Sequence, residues 1–463
     1  MLKCASGRTA NRPNPAREES EAMTISVAIV GTGPSGFYAA QALLEKGLDC
    51  RIDLIDTLPT PFGLIRGGVA PDHQHTKRIT RTYEEIAAQP TVNFYGNVEA
   101  GRDITVLELK ALYDAVVLAI GMPMDRGLDL IGGAKKGVYG AAEFVGWYNG
   151  HPACRNLEPL LDDKRVAVIG NGNVALDIGR VLCKTPDEMA KTDIPDYAVD
   201  AIQNSPITDI YIFGRRGPAE AKFTNVELRE IGQLADCAPM VDPEELPDEI
   251  QGEMSDRDRR LRMRNIETFR SFAAMDPTGK QKRLHFCFRS MPVEILGKER
   301  VEGLRLQRTI VENGEAVGTG RYYDTLCGTV IAAIGYRMGP LQGVPLDVRR
   351  GIVINDDGRV APGLYVVGWA RRGPTGVISS NKPDGDAVAA HIATDIGQPG
   401  KPGRPAFEEH LRARGVRWVT FEDWKFIDEA EIAAAQEGAP RKKFVDVEAM
   451  IGLIETGRAS ENS

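Results

Sequence analysis

Apolar and polar positions along the chain fall into repeated strand–helix patterns, and the earliest of them sets the plan for the rest. Residues 27–30 are four consecutive apolar positions, the mark of a strand buried on both faces. The following FYAAQALLEKG places Ala39, Ala40, Leu43 and Leu44 to cover a sheet from one helical face. RIDLID predicts a second strand ending at Asp56, VNFYGNV and ITVLEL a strand pair, and YDAVVLAIG a buried strand that returns to the first sheet and ends in Gly121. Between them, PTPFGLIRGGVAPDH (59–73) has many Pro and Gly breakers and no helical period. Asp72 is placed to N-cap a helix over QHTKRITRTYEEIAA, with His73 in its first turn.

After a weakly patterned crossover the design restarts. RVAVIGNGNVALDIGRVL, from Arg165, again reads as strand, turn and helix, and DIYIFG as the strand that follows an insertion of unexplained purpose. From Leu284, HFCFRSMPVEILG, VEGLRLQRTIVENG and DTLCGTVIAAIG keep β spacing. The last ends in Gly335, mirrors YDAVVLAIG and is expected to carry the chain back to the first domain. APGLYVVG then predicts a buried strand and DAVAAHIATDIG a helix, and the tail from Lys401 reads as helix and short strand packed on the outside.

The turns carry the chemistry. Gly31, Gly33 and Gly36 have G-x-G-x-x-G spacing: the first permits a tight turn, the second lets backbone approach a pyrophosphate, and the third lets helix and strand pack closely. The helix N-terminus behind them offers N–H groups to phosphates. Asp56, twenty residues after Gly36, stands where a carboxylate holds ribose hydroxyls. Gly170, Gly172 and Ala175 repeat the fingerprint, but the next strand ends in Gly214, Arg215 and Arg216 instead of an acid. Two guanidiniums there suit a 2′-phosphate and so favour NADP(H) over NAD(H). Trp369 fits either a core or a turn of Gly373, Pro374 and Gly376 that aims N–H groups at a flavin ring.

Composition narrows the classes. The 463 residues are 42% hydrophobic and 26% charged, enough for two or three domains of a water-soluble protein. A net charge of -8 argues against nucleic acid as partner, and no apolar run approaches the roughly 18 residues of a membrane span. Seven scattered cysteines without a C-x-x-C pair remove a redox-disulfide reading and fit a cytoplasmic location, and six histidines show no metal spacing. The polar first 22 residues are expected to be disordered, with Met23 as an alternative start; their Glu18, Glu19 and Glu21 argue against a transit peptide. Residues 257–289 hold ten basic residues against three acids, a local +7 that is either a solvated face or a docking patch for an acidic protein.

These segments together resemble the adrenodoxin-reductase-like ferredoxin–NADP(+) reductases. The resemblance covers the chain from Thr24 on and is carried by VGTGPSGFYAAQ, PTPFGLIRGGVAPDH, FVGWYNGHP, VIGNGNVALDIGRVL, FGRRGPAEAKFTNVELRE and VVGWARRGPTGVI. It implies an α/β fold of two Rossmann-like dinucleotide-binding domains, the NADP domain inserted in the FAD domain. The implied boundaries are 23–123 and 335–463 for FAD, the latter with a C-terminal extension, and 124–334 for NADP.

The resemblance also implies that Ser35, Asp56, Leu64 and Val98 contact FAD, with Trp369, Gly376, Val377 and Ile378 around its ring system. It implies that Asn171, Gly172, Asn173 and Val174 form the NADP pyrophosphate turn, Arg215 and Arg216 the 2′-phosphate clamp, and Glu227 and Arg126 further NADP contacts. His73 and Glu230 match a pair near the reaction centre. Asp56 departs from the Glu of many relatives, and Ser379 from a common Gly. The implied activity is electron transfer from NADPH through FAD, singly, to a ferredoxin-type iron–sulfur protein that is acidic and docks near Arg260 and Arg264, at i and i+4 on one helical face. An amidotransferase-like flavin subunit would normally carry N-terminal iron–sulfur cysteine clusters, absent here. A non-catalytic NADP(H)-binding regulator would not bleach a bound flavin with NADPH.

Overall fold

Each glycine-turn strand lies inside its own six-stranded sheet. The computed structural model describes residues 24–461, so the expected disorder of the first 22 residues and the alternative start at Met23 lie outside the described part. In the first sheet the order is Arg359–Ala361, Leu364–Val366, Ala115–Leu118, Ile25–Val30, Cys50–Ile55, Val92–Tyr95, and only the Arg359–Ala361 edge is antiparallel. In the second it is Val138–Gly140, Thr329–Ala332, Arg165–Ile169, Asp209–Phe213, Lys282–Cys287, Cys237–Val241, parallel throughout. Near-continuous Val, Ile and Leu in these strands suit sheets covered on both faces. The chain enters the second sheet after Gly121 and leaves it after Ala332. At the crossing, Met124–Asp125 and Tyr336–Arg337 pair antiparallel. The DTLCGTVIAAIG strand therefore stays in the second sheet, as the counterpart of Ala115–Leu118, and the return follows it.

Several local expectations are corrected. ITVLEL is not a strand: Val106–Leu112 is a helix, because Thr105 and Glu108 form a reciprocal capping box that the β-like alternation concealed. The loop after Asp56 contains one helical turn, Leu64–Gly67. The long helix expected after Asp72 is split into Gln74–Lys77 and Thr80–Ala87, past a Lys77 whose ammonium is buried against Asp193 at 2.7 Å. Asp72 caps nothing: its carboxylate is drawn away to Arg180 and Lys184. The tail forms three helices, Arg404–Ala413, Phe421–Ala433 and Val447–Glu461, and its Phe407, Leu411, Trp424 and Ile427 are fully buried. They fill the two faces of the first sheet, so the tail completes a core and does not decorate it.

The insertion after the second glycine helix gains a role. Its Asp193 is buried between Lys77 and Lys443, and Lys443 also donates to the Asn149 carbonyl at 3.0 Å. This clasp ties the insertion, the short helix Gln74–Lys77 and the C-terminal tail together.

Candidate functional site

Both glycine turns are built to the same steric plan. Gly31 has φ +102°, and a Cβ there would lie 2.5 Å from the Ala119 carbonyl oxygen; Gly170 has φ +139°, and a Cβ would lie 2.2 Å from the Ala333 carbonyl oxygen. In each unit the returning strand presses on the turn, so only glycine fits. A Cβ on Gly36 would lie 2.0 Å from the Gly31 oxygen, whereas the second turn closes with the fully buried Ala175. The helices behind the turns, Pro34–Glu45 and Asn173–Cys183, start at Gly33 and Gly172 with no side-chain cap, leaving their first N–H groups and positive dipole ends available to a phosphate.

Around the first turn the structure gathers most residues expected there. The Gly63 backbone closes on Gly33, so that a Cβ on Gly63 would sit 2.8 Å from the Gly33 Cα: a cradle only backbone can line. Leu64 follows, 49% exposed at the rim. Ser35 Oγ donates to Asn381 Oδ1 at 3.2 Å, and Gly368, next to Trp369, approaches the same Ser35. Trp369 is half-buried and stacks on Tyr336 at 5.8 Å, at the crossing between the units. Gly376 (φ +86°), exposed Val377 and half-buried Ile378 form the following turn, held by Arg372, which donates to Asn381 Oδ1 at 2.8 Å. Ser379 is exposed in that turn.

Two residues of this set differ from the simple expectation. Asp56 is engaged by its own loop: Oδ2 accepts from Thr32 N at 2.8 Å and Thr32 Oγ1 at 2.6 Å, and Oδ1 from Leu58 N at 3.1 Å. Burial raises its pKa while these bonds oppose the rise. A carboxylate offers about four acceptor positions, and these three bonds leave capacity for one ribose hydroxyl. Val98 is buried in the core, and its N–H donates to the Asp56 carbonyl at 2.9 Å; only backbone there can face a ligand.

Around the second turn, Gly172 faces open space, with no atom within 4 Å of an added Cβ. Asn173 Oδ1 accepts from Thr224 N at 2.9 Å, with Val174 half-buried behind it. Both side-chain polar atoms of Asn171 are buried without a partner, as is Glu227 Oε2. Orphaned polar atoms beside an uncapped helix start fit a nucleotide that supplies the missing partners. Arg215 and Arg216 make no ion pair among the described residues; Arg216 reaches only the Gly314 carbonyl, at 3.4 Å. Two unpaired guanidiniums at a strand end fit a 2′-phosphate. Arg126 is exposed and donates to the Tyr336 and Arg350 carbonyls, at the crossing between the units.

His73 and Glu230, 157 residues apart, meet at 2.7 Å (Nε2 to Oε2). Sequence reasoning missed what surrounds them. Arg180 lies between Asp72 (2.8 Å), Asp177 (2.8 Å) and Glu230 (3.4 Å), Lys184 pairs with Asp72 at 3.0 Å, and Asp177 stands 4.0 Å from His73 Nδ1. Burial pushes the His73 imidazole down, but the Glu230 bond and the Asp177 and Asp72 charges, opposed by Arg180, leave it above its ordinary value. Burial raises Glu230, and the His73 bond and Arg180 more than offset that. The available signal was Asp177 and Arg180, two charges in the interior of a helix otherwise buried from Leu176 to Cys183.

Arg260 and Arg264 are exposed on the helix Asp256–Ala273 and unpaired among the described residues, whereas Arg259 turns inward to the Ile250 and Gly252 carbonyls. The Arg264 carbonyl accepts from Asn225, at the start of the helix that carries Glu227 and Glu230.

The model of the pyridine nucleotide-disulphide oxidoreductase family matches residues 25–192. The chain is 39% identical to NADPH-ferredoxin reductase FprA of Mycobacterium tuberculosis over 449 residues, covering 92% of this chain and 98% of that protein. It is also 39% identical to the mitochondrial NADPH:adrenodoxin oxidoreductase of Bos taurus, covering 94% and 93%. The structure of Mycobacterium tuberculosis FprA in complex with NADPH superposes with a TM-score of 0.88 at 38% identity, over 93% of this chain and all of that one.

Proposed function

The chain belongs to the family of NADPH-ferredoxin and NADPH:adrenodoxin reductases, and on that footing we propose how its two units divide the work. The protein is an FAD-dependent oxidoreductase that takes electrons from NADPH and passes them singly to a ferredoxin-type iron–sulfur protein. Residues 23–123 and 335–463 hold FAD, and residues 124–334 hold NADP(H). When bound, FAD supplies the chemistry, because it accepts an electron pair and releases electrons one at a time.

The chain's own residues bind and orient. The Gly33–Gly63 cradle and its helix start take one pyrophosphate, and Gly172 with Asn171 and Asn173 takes the other. Arg215 and Arg216 select the 2′-phosphate. Trp369, stacked on Tyr336, screens the ring system from water at the crossing between units. Oxidising one NADPH against two single-electron acceptors leaves one proton over. His73 Nε2 and Glu230 Oε2, 2.7 Å apart, are the pair able to hold it. The acceptor is acidic and docks over Arg260 and Arg264, exposed cations one helix away from Glu230. Six free cysteines among the described residues, and no described helix long and apolar enough to cross a membrane, support a cytoplasmic placement.

The observation that carries this reading is the His73–Glu230 bond, which joins the loop behind the first turn to a helix beside the second. Anaerobic titration of the purified, FAD-loaded protein with NADPH tests it. The visible flavin bands should bleach at one equivalent, and bands that persist in excess NADPH would overturn the assignment.

A further inference from the structure

Arg180 is 1% exposed, yet its guanidinium touches three carboxylates from three segments. Nε and Nη2 hold Asp72 at 2.8 and 3.1 Å, Nη2 lies 2.8 Å from Asp177, and Nη1 lies 3.4 Å from Glu230. His73 sits among the same carboxylates, at 2.7 Å from Glu230 and 4.0 Å from Asp177. The remaining groups facing the imidazole's surroundings are Lys184 on Asp72, Glu227 one turn before Glu230, and the buried, unpartnered Tyr148 hydroxyl.

The charges decide what such an arginine does. With Asp72, Asp177 and Glu230 ionised, Arg180 and Lys184 protonated, and Glu227 pushed toward its neutral form by burial, these groups leave one negative charge, which an imidazolium would cancel. Remove Arg180 and two negative charges face the imidazole, enough to hold it protonated across the neutral range. A histidine locked in that form takes up no further proton.

We propose that Arg180 is the positioning residue of this site: anchored on Asp72, it sets its charge between Glu230 and Asp177 beside His73 and, as a cation facing the imidazole, keeps these carboxylates from locking His73 in its protonated form. The balance at His73 agrees, since burial lowers its pKa, Glu230 raises it, Arg180 lowers it, and Asp177 and Asp72 raise it. This deepens the reductase reading and takes its purpose from it, but the titration of one histidine is measurable without turnover.

The test is an NMR titration of ring-labelled histidine in the FAD-loaded, oxidised enzyme. Its His73 resonance is the one missing from His73→Gln. Arg180→Met should raise the His73 midpoint by about one pH unit or more, and Asp72→Asn, which removes an anion, should lower it. Arg180→Lys keeps the charge and should return the midpoint close to the parent value. Shifts of opposite sign do not arise from general loosening. An unmoved midpoint, or shifts of the same sign in Arg180→Met and Asp72→Asn, would overturn the proposal. Should Arg180→Met fail to fold, Asp72→Asn must still lower the midpoint and Arg180→Lys still preserve it, or the proposal fails. Both shifts in a protein that accepts no electrons from NADPH would sink the functional reading and leave this inference standing.

Discussion

Replacing Arg215 and Arg216 by Ala should separate NADPH from NADH. Neither side chain has a carboxylate partner among the described residues. Their backbone is held independently: the Arg215 carbonyl accepts from Thr309 Oγ1 at 2.6 Å, and the Arg216 carbonyl from Arg289 N at 3.0 Å. Truncation therefore removes charge and leaves the path of the chain intact. A hydrogen bond to a charged group is worth about 1.5–3 kcal/mol, and solvent at these positions argues for the lower end. Two such losses amount to about 3 kcal/mol, or roughly a hundredfold in kcat/KM for NADPH, at 1.4 kcal/mol per factor of ten. NADH has no 2′-phosphate, so its kcat/KM should change less than about twofold. Ferricyanide is the acceptor of choice, because a small ion needs no docking surface. Equal losses with the two nucleotides, or no loss with NADPH, would refute the assignment of these arginines.

Three other perturbations read other parts of the molecule. His73→Ala should slow reduction of the bound flavin by NADPH in stopped-flow while the FAD stays bound; an unchanged rate from pH 5 to 9 would leave the residue a purely structural role. Reversing Arg260 and Arg264 to Glu should weaken ferredoxin reduction, flatten its dependence on salt and spare ferricyanide reduction, since steering by exposed charge is screened within about 10 Å at 0.1 M salt; a parallel drop in both activities would place the patch in the fold instead. Asp193→Asn strands two buried lysines and should cost on the order of 3–5 kcal/mol at pH 7 by denaturant unfolding. Burial lowers Lys443 to about 7, below its unfolded value, so the folded state sheds that proton first and stability from this group rises with pH above about 7. Asp193 raises Lys443 and its loss lowers that lysine further, so the deficit of Asp193→Asn should shrink as pH rises from about 5 through 7 and change little beyond, and a deficit independent of pH across that range would contradict the clasp.

What the sequence made legible was local. The spacing of Gly31, Gly33 and Gly36 is legible because Gly31 and Gly36 answer clashes with the returning strand and within the turn and Gly33 keeps the turn open to a ligand, and Arg215 and Arg216 because they stand at a fixed place in a repeated unit. ITVLEL misled because its alternation suits a strand, while Thr105 and Glu108 spell a helix start in the same six residues. The tail's role was hidden because Phe407 and Trp424 are buried by strands that lie far upstream. His73 and Glu230 came from the resemblance, not from spacing. Arg180 left only the local signal of its charge three residues after Asp177 in an apolar helix; its other partners stand 50 and 108 residues away, and a long-range ion cluster leaves no period in the chain.

Electron stoichiometry tests the central claim most directly. A limiting amount of NADPH, mixed anaerobically with catalytic FAD-loaded protein and excess oxidised ferredoxin, should yield two reduced ferredoxins per NADPH. NADH in the same mixture should yield far less. NADPH consumed without reduction of ferredoxin, or equal yields from both nucleotides, would contradict the account.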